Sequence, residues 1–237
     1  MVDYIASSEQ TKIARNADRV AVPWILGLYS LAGATFMVAT RWAGWYRGSG
    51  AESQFLLVPF ATALGGIALL AAFWAFLTSD GLATAMLGTW GSFWIGYGLL
   101  NALFMAGKLT APAGPFSELG YWFIALAAIS WMGAVAAMAE NMALAGTLAF
   151  LAAGSTISAI GNVAGHPSLV TLAGWLFFIG AVFGWYTATG MMFQSVFHRP
   201  MLPLGLSTAI EPPLPARGGG SGEVAVLGQT PASRRSG

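Results

Sequence analysis

The chain has 237 residues, 57% of them hydrophobic and 8% charged, with a formal net charge of +1. A water-soluble domain of this size needs more solvating groups on its surface, and the scattered Lys and Arg form no basic stripe for nucleic acid, so both classes are excluded. Cys is absent and His occurs only at His166 and His198; this removes disulfides, thiolate chemistry and iron–sulfur clusters, and leaves too few ligands for a metal or haem cage, so no cofactor is expected.

Residues 1–21 mix acids (Asp3, Glu9, Asp18) with bases (Lys12, Arg15, Arg19). The apolar run that follows is longer than a signal-peptide core and has no clear cleavage site, so these residues read as a retained cytoplasmic arm. Uncharged stretches then cover 20–40, 53–79, 81–107, 119–139 and 141–197. A hydrocarbon core of roughly 30 Å takes about 20 helical residues. The first four stretches each supply one span, and the last divides near Gly165-His166-Pro167 into two.

The expected fold class is therefore an all-α membrane protein with six transmembrane helices, near 22–40, 55–77, 82–104, 119–139, 142–163 and 169–193, in a domain spanning 22–206. Open sheets are excluded because unpaired backbone groups cannot face lipid. Trp42, Trp45 and Tyr46 after the first span, and Tyr121 and Trp122 opening the fourth, are expected at the headgroup level. Residues 207–237 are rich in Pro, Gly, Ser and Arg and read as a disordered tail. Six spans put both termini on one side with Lys12, Arg15, Arg19, Arg199, Arg217, Arg234 and Arg235, against Arg41, Arg47 and Lys108 on the other. That bias predicts cytoplasmic N and C termini in the cell membrane.

On the fifth helix Thr147, Leu151, Ser155, Ser158 and Asn162 are spaced 4, 4, 3 and 4, which at about 100° per residue places them within roughly 80° of arc. Two readings of this narrow polar face stand. Gly154, Gly161 and Gly165 lie beside it, and small or hydroxyl residues on a membrane helix commonly let a neighbouring backbone approach; alternatively the hydroxyls and the Asn162 amide replace water around a polar solute in a pore. On the third helix Trp90, Trp94, Tyr97 and Asn101 form an aromatic stripe ending in an amide, with indole N–H groups at mid-span that need partners. Gly180 and Gly184 form a GxxxG, a helix-contact signal.

No Asp, Glu, Lys or Arg falls at mid-span, which argues against a side-chain proton relay. Asp80 and Glu140 fall in turns and are expected to be solvated at the cytoplasmic face. No Ser/His or paired-carboxylate set can be assembled at one depth, so no enzyme is expected.

Gly91-Ser92-Phe93-Trp94, Ala159-Ile160-Gly161-Asn162-Val163-Ala164-Gly165, Ala173-Gly174-Trp175 and Leu202-Pro203-Leu204-Gly205, in this order and spacing, resemble the acetate uptake transporter family, also called succinate–acetate permeases or YaaH-like proteins, over about residues 20–206. The resemblance implies a six-helix protomer, usually in a cyclic hexamer, with a pathway for acetate and related small carboxylates through each protomer. The family's apolar constriction of Phe, Tyr and Leu corresponds to Leu31, Trp90 and Leu151, and its Asn residues near the fifth helix correspond to Asn141 and Asn162. Its first-helix signature N-P-x-P-L-G-L appears as Val22-Pro23-Trp24-Ile25-Leu26-Gly27-Leu28, which keeps Pro23, Leu26 and Gly27. Pro23 in a first helical turn leaves exposed N–H groups suited to an anion. Ala75 stands where the family has an acid, Ser79-Asp80-Gly81-Leu82 replaces G-N-T-F, and a basic residue is missing around Ala139 to Met142.

The leading expectation is a channel or transporter for small monocarboxylates, acetate or acetic acid first and succinate within the implied range. Solute would pass Ser155, Ser158, Asn162 and Thr147 and an apolar gate at Leu31, Trp90 and Leu151. Protonated solute would give apparent proton symport. Expected partners are lipid, the solute and further copies of the chain, with the glycine faces of the fifth and sixth helices taken as support for a ring. The alternatives are a non-transporting scaffold or sensor, and a pore for another small neutral solute.

Overall fold

Six helices build the chain: α1 Pro23–Trp42, α2 Ala51–Leu77, α3 Gly81–Met105, α4 Ser117–Ala137, α5 Met142–Val163 and α6 Pro167–Phe197. The computed structural model describes residues 22–46 and 51–205, with side chains from 58 onward in α2. The expected arm at 1–21 and the tail at 207–237 lie outside the described residues.

Local chemistry sets most helix ends. Pro occupies the first turn of α1 and α6, where its missing N–H costs nothing. Asp80 caps α3, accepting from the Ala83 N–H at 2.9 Å. Gly165 adopts φ +69°, a conformation favouring glycine, and the His166 N–H returns to the Gly161 carbonyl at 2.8 Å to close α5.

The start of α5 is satisfied from two directions. Asn141 Oδ1 accepts from the Leu144 N–H at 2.8 Å, while the Met142 and Ala143 N–H groups donate to the carbonyls of Gly205 and Leu204 at 2.9 and 3.0 Å. Leu204 is itself buried, and the Tyr186 hydroxyl donates to the Pro203 carbonyl at 2.9 Å. The Leu-Pro-Leu-Gly segment thus acts as a backbone cap, occupying N–H groups that a helix start leaves free.

Each helix packs on its chain neighbours and α6 closes on α1, giving a ring in chain order whose sparsest seam is α3 against α4. An apolar cleft lined by Leu82, Met86, Ile129 and Met132 runs along that seam. Five of the six helices are long and apolar enough to cross a membrane. The exception by composition is α3, 25 residues without a charge. Its Trp90, Trp94, Tyr97 and Asn101 are buried inside the bundle, so the polar tips that lower its hydropathy never meet lipid. The protein is a multi-pass membrane protein.

Two sequence expectations change. The glycines of α5 and α6 are used within the protomer: Gly154 lies against Phe177, Gly161 against Leu169 and Val170, Gly180 against Phe150 and Leu151, and Gly184 against Ala32 and Thr147. They are not a free surface for a second copy, and the support they lent to a ring is withdrawn. Trp42 is not a headgroup aromatic either. Its ring packs 5.4 Å from Phe123 and 5.7 Å from Phe177, inside the aromatic cluster, because α1 leans on α6 there. Trp45, Tyr121 and Trp122 remain exposed as the headgroup reading requires.

Candidate functional site

The polar face of α5 turns inward. Thr147, Leu151, Ser155, Ser158 and Asn162 are all at most 3% exposed. Its donors are largely committed to the helix itself: Thr147 Oγ1 donates to the Ala143 carbonyl at 2.9 Å and Ser155 Oγ to the Leu151 carbonyl at 2.8 Å. Asn162 Nδ2 donates to the Ser158 carbonyl at 2.9 Å and to its Oγ at 3.2 Å. Thr187 on α6 stands 3.4 Å from Thr147 and donates to its own Phe183 carbonyl. Back-bonded hydroxyls keep their oxygen lone pairs, so this face accepts more readily than it donates.

Leu31, Trp90 and Leu151 are at most 1% exposed and belong to one continuous buried cluster with Phe93, Phe123 and Phe177. Trp90 and Leu151 both point away from lipid. The Trp90 indole N–H donates to Ser130 Oγ at 3.0 Å, and the ring meets Phe93 and Phe177 edge-on at 5.7 and 5.9 Å. One hydrogen bond and two aromatic neighbours therefore fix its orientation. One turn beyond Leu31, Thr35 Oγ1 is buried without a partner, and so is the indole nitrogen of Trp94 one turn beyond Trp90. A buried polar atom left unpaired costs about 1–3 kcal/mol, which a polar guest reaching it would recover.

At one end of the bundle a cavity of about 360 Å³ is lined by Arg41, Tyr97, Asn101, Asn162 and Thr171 with the loop Ala111 to Phe116. Arg41 Nη1 donates to Asn101 Oδ1 at 3.3 Å, and Asn101 Nδ2 donates to the Tyr97 carbonyl at 2.8 Å. The Phe116 N–H reaches Asn162 Oδ1 at 3.4 Å, tying the loop to the end of the α5 face. Sequence reasoning reached Asn101 and Asn162 separately and treated Arg41 only as a loop charge. Ser130 and Thr187, buried hydroxyls on largely apolar helices, carry no sequence signal that sets them apart.

The remaining site residues fall elsewhere. Pro23 and Gly27 sit at the start of α1, where Gly27 abuts Leu87 and Leu26 is exposed. Gly91 brings α3 onto the α2 backbone, where an added methyl would lie 2.6 Å from the Leu69 nitrogen and 2.7 Å from the Gly65 carbonyl oxygen. Ser92 is exposed and back-bonds to the Gly88 carbonyl, which sets it on the outer side of α3. Asn141 is a helix cap. It is a family-motif position, and its contacts are those of a structural residue.

In the α4–α5 turn the Glu140 carboxyl is held above its ordinary value by partial burial and then by the negative charge of Asp80. Glu140 is nonetheless exposed and Asp80 half-buried, so both acids lie in turns within reach of solvent and also influence one another. Among the described residues no group of three His, Asp or Glu side chains is placed to hold a metal.

An all-helical ring of membrane-spanning length with an inward polar face defines a class of polytopic membrane protein. The GPR1/FUN34/yaaH family profile matches residues 7–205, and the chain belongs to that family. The fold is similar to a solved structure of the bacterial acetate channel SatP, with a TM-score of 0.67 and 21% identity over 79% of this chain and 100% of that one. No curated protein sequence matches significantly.

Proposed function

We propose that each protomer forms a transmembrane pathway for small monocarboxylates, acetic acid foremost, running from the cavity at Arg41 along the α5 face and past an apolar gate of Leu31, Trp90 and Leu151. The observation that carries this reading is the acceptor-rich face of α5, buried beside an apolar trio in a bundle otherwise lacking mid-span charge. A carboxylate loses many kcal/mol of solvation in such surroundings unless donors replace water. The neutral acid loses far less, and its O–H supplies the donor that the Ser and Thr oxygens lack. Because acetic acid resembles a Glu side chain, with a pKa of about 4.3, its neutral fraction rises as external pH falls. Apparent proton symport then follows from the solute itself. Membership of the family and the likeness to an acetate channel support the substrate class.

The same reading places the protein in the cell membrane with both termini cytoplasmic and assembles it as a ring, six copies by family resemblance. Acetate uptake into proteoliposomes at two pH values, beside acetamide as a neutral solute of similar size, tests the function. Uptake of acetate that rises several-fold at the lower pH and exceeds acetamide is expected. Equal passage of both would favour a pore for neutral solutes, and passage of neither would favour the scaffold alternative.

A further inference from the structure

We propose that the 360 Å³ cavity at the bundle end is a binding site for a small carboxylate anion, with Arg41 as its counter-ion and the Tyr97 hydroxyl as a second donor. This deepens the channel reading, on which its role as an entrance rests; the binding itself does not require transport.

Arg41 lies in the last turn of α1, partly buried, and forms no ion pair among the described residues. Its guanidinium is charged at every accessible pH and carries five N–H donors in a planar fork that suits a carboxylate. The hydrogen bond to Asn101 Oδ1 engages one nitrogen, and among the described residues the rest of the fork has no partner. Tyr97 is 6% exposed, lines the cavity, and its hydroxyl has no hydrogen-bond partner among the described residues. A phenolic O–H held that way at the edge of a cavity is a donor awaiting an acceptor.

The identity of residue 101 supports a guest anion. Asn101 is 4% exposed and meets the guanidinium through a neutral oxygen. An Asp of the same shape would neutralise Arg41 internally; the amide orients the cation without cancelling its charge. Pro112, Pro115, Phe116 and Leu119 also line the cavity and supply apolar contact for a short alkyl group. The volume lies within the roughly 300–1,000 Å³ range of small-molecule sites. The adjoining Asn162 begins the α5 face, so an anion held here at neutral pH needs only a proton to match the acceptor-rich face beyond.

The test is titration of the full-length protein in detergent with sodium acetate at pH 7 in a chloride-free buffer, followed by calorimetry, with acetamide as the neutral control. Saturable acetate binding without acetamide binding is expected. Arg41→Gln should weaken it about tenfold or more, as expected for loss of a charged hydrogen-bonding partner, and Tyr97→Phe by several-fold. Asn101→Asp is the sharper variant: it keeps Arg41 but supplies an internal counter-ion, so it too should abolish binding. Because it also loses the Nδ2 donor to the Tyr97 carbonyl, its affinity is read only in protein shown to be folded by thermal unfolding. Wild-type affinity in Asn101→Asp or in a folded Arg41→Gln overturns the proposal, as does absence of anion-selective binding in the wild type. Competition by chloride as effective as that by formate overturns the carboxylate assignment. The channel reading is judged separately by low-pH uptake in the wild type: uptake with no acetate site at pH 7 sinks only the site, and a site without uptake sinks only the channel.

Discussion

Ser158 and His166 separate the two kinds of polar residue in this protein. Ser158 is fully buried on the inward face of α5, where its oxygen accepts from Asn162 Nδ2, whereas His166 is exposed in the turn before α6. Ser158→Leu is expected to reduce acetate uptake at least tenfold at equal membrane abundance, with overpacking also costing about 1–3 kcal/mol of stability. His166→Gln should leave uptake and its pH dependence nearly unchanged. An active Ser158→Leu beside an inactive His166→Gln would make the turn histidine the coupling group and the stripe mere packing. Glu140 gives a prediction of a different kind. Its carboxyl is held above its ordinary value by partial burial and by Asp80, so the folded state disfavours the charged form. That cost is absent below the ordinary carboxylate pKa and accumulates as pH rises through the ordinary and then the raised value. Glu140→Gln should therefore raise the melting temperature slightly at neutral pH and leave it unchanged at pH below the ordinary carboxylate range; a gain equal at both would remove charge from the explanation.

At the scale of elements, the start of α5 shows how a motif can be structural. Its three leading N–H groups are taken by Asn141 Oδ1 and by the carbonyls of Leu204 and Gly205. Asn141→Ala should cost about 1 kcal/mol, recovered in large part by Asn141→Ser. Thermal unfolding in detergent measures both, and a neutral Asn141→Ala would show that the segment at 202–205 caps the helix alone. The aromatic stripe of α3 makes a related point. Four polar-tipped residues depress the hydropathy of a helix whose length and lack of charge still suit a span, because all four are buried inside the bundle. Composition averages over faces and cannot tell an inward indole from one in lipid.

For the whole molecule, ring closure between α6 and α1 consumes the glycine faces, so the proposed assembly would rest on the large apolar side chains left outside. Those include Phe60, Phe73 and Phe76 on α2 and Ile124, Met132 and Val135 on α4. Native mass spectrometry in mild detergent is expected to find a closed ring of six; a stable monomer there and in lipid would end the oligomer proposal.

The number of spans, their approximate limits and the inward face of α5 were legible in the chain. A bilayer penalises an ionic or unpaired polar group wherever it occurs, so charge-free run length and helical spacing carry that information locally. Leu31, Trp90 and Leu151 came from family resemblance, and their burial required a core that no single helix specifies. The cavity was not legible at all. Arg41 and Asn101 are 60 residues apart and meet only because α1 and α3 pack together at that end, so their pairing belongs to tertiary structure. The same holds for the glycines: each announces that something approaches closely, but whether that neighbour is another helix of the same ring or a second protomer depends on how six helices close, which no local pattern encodes.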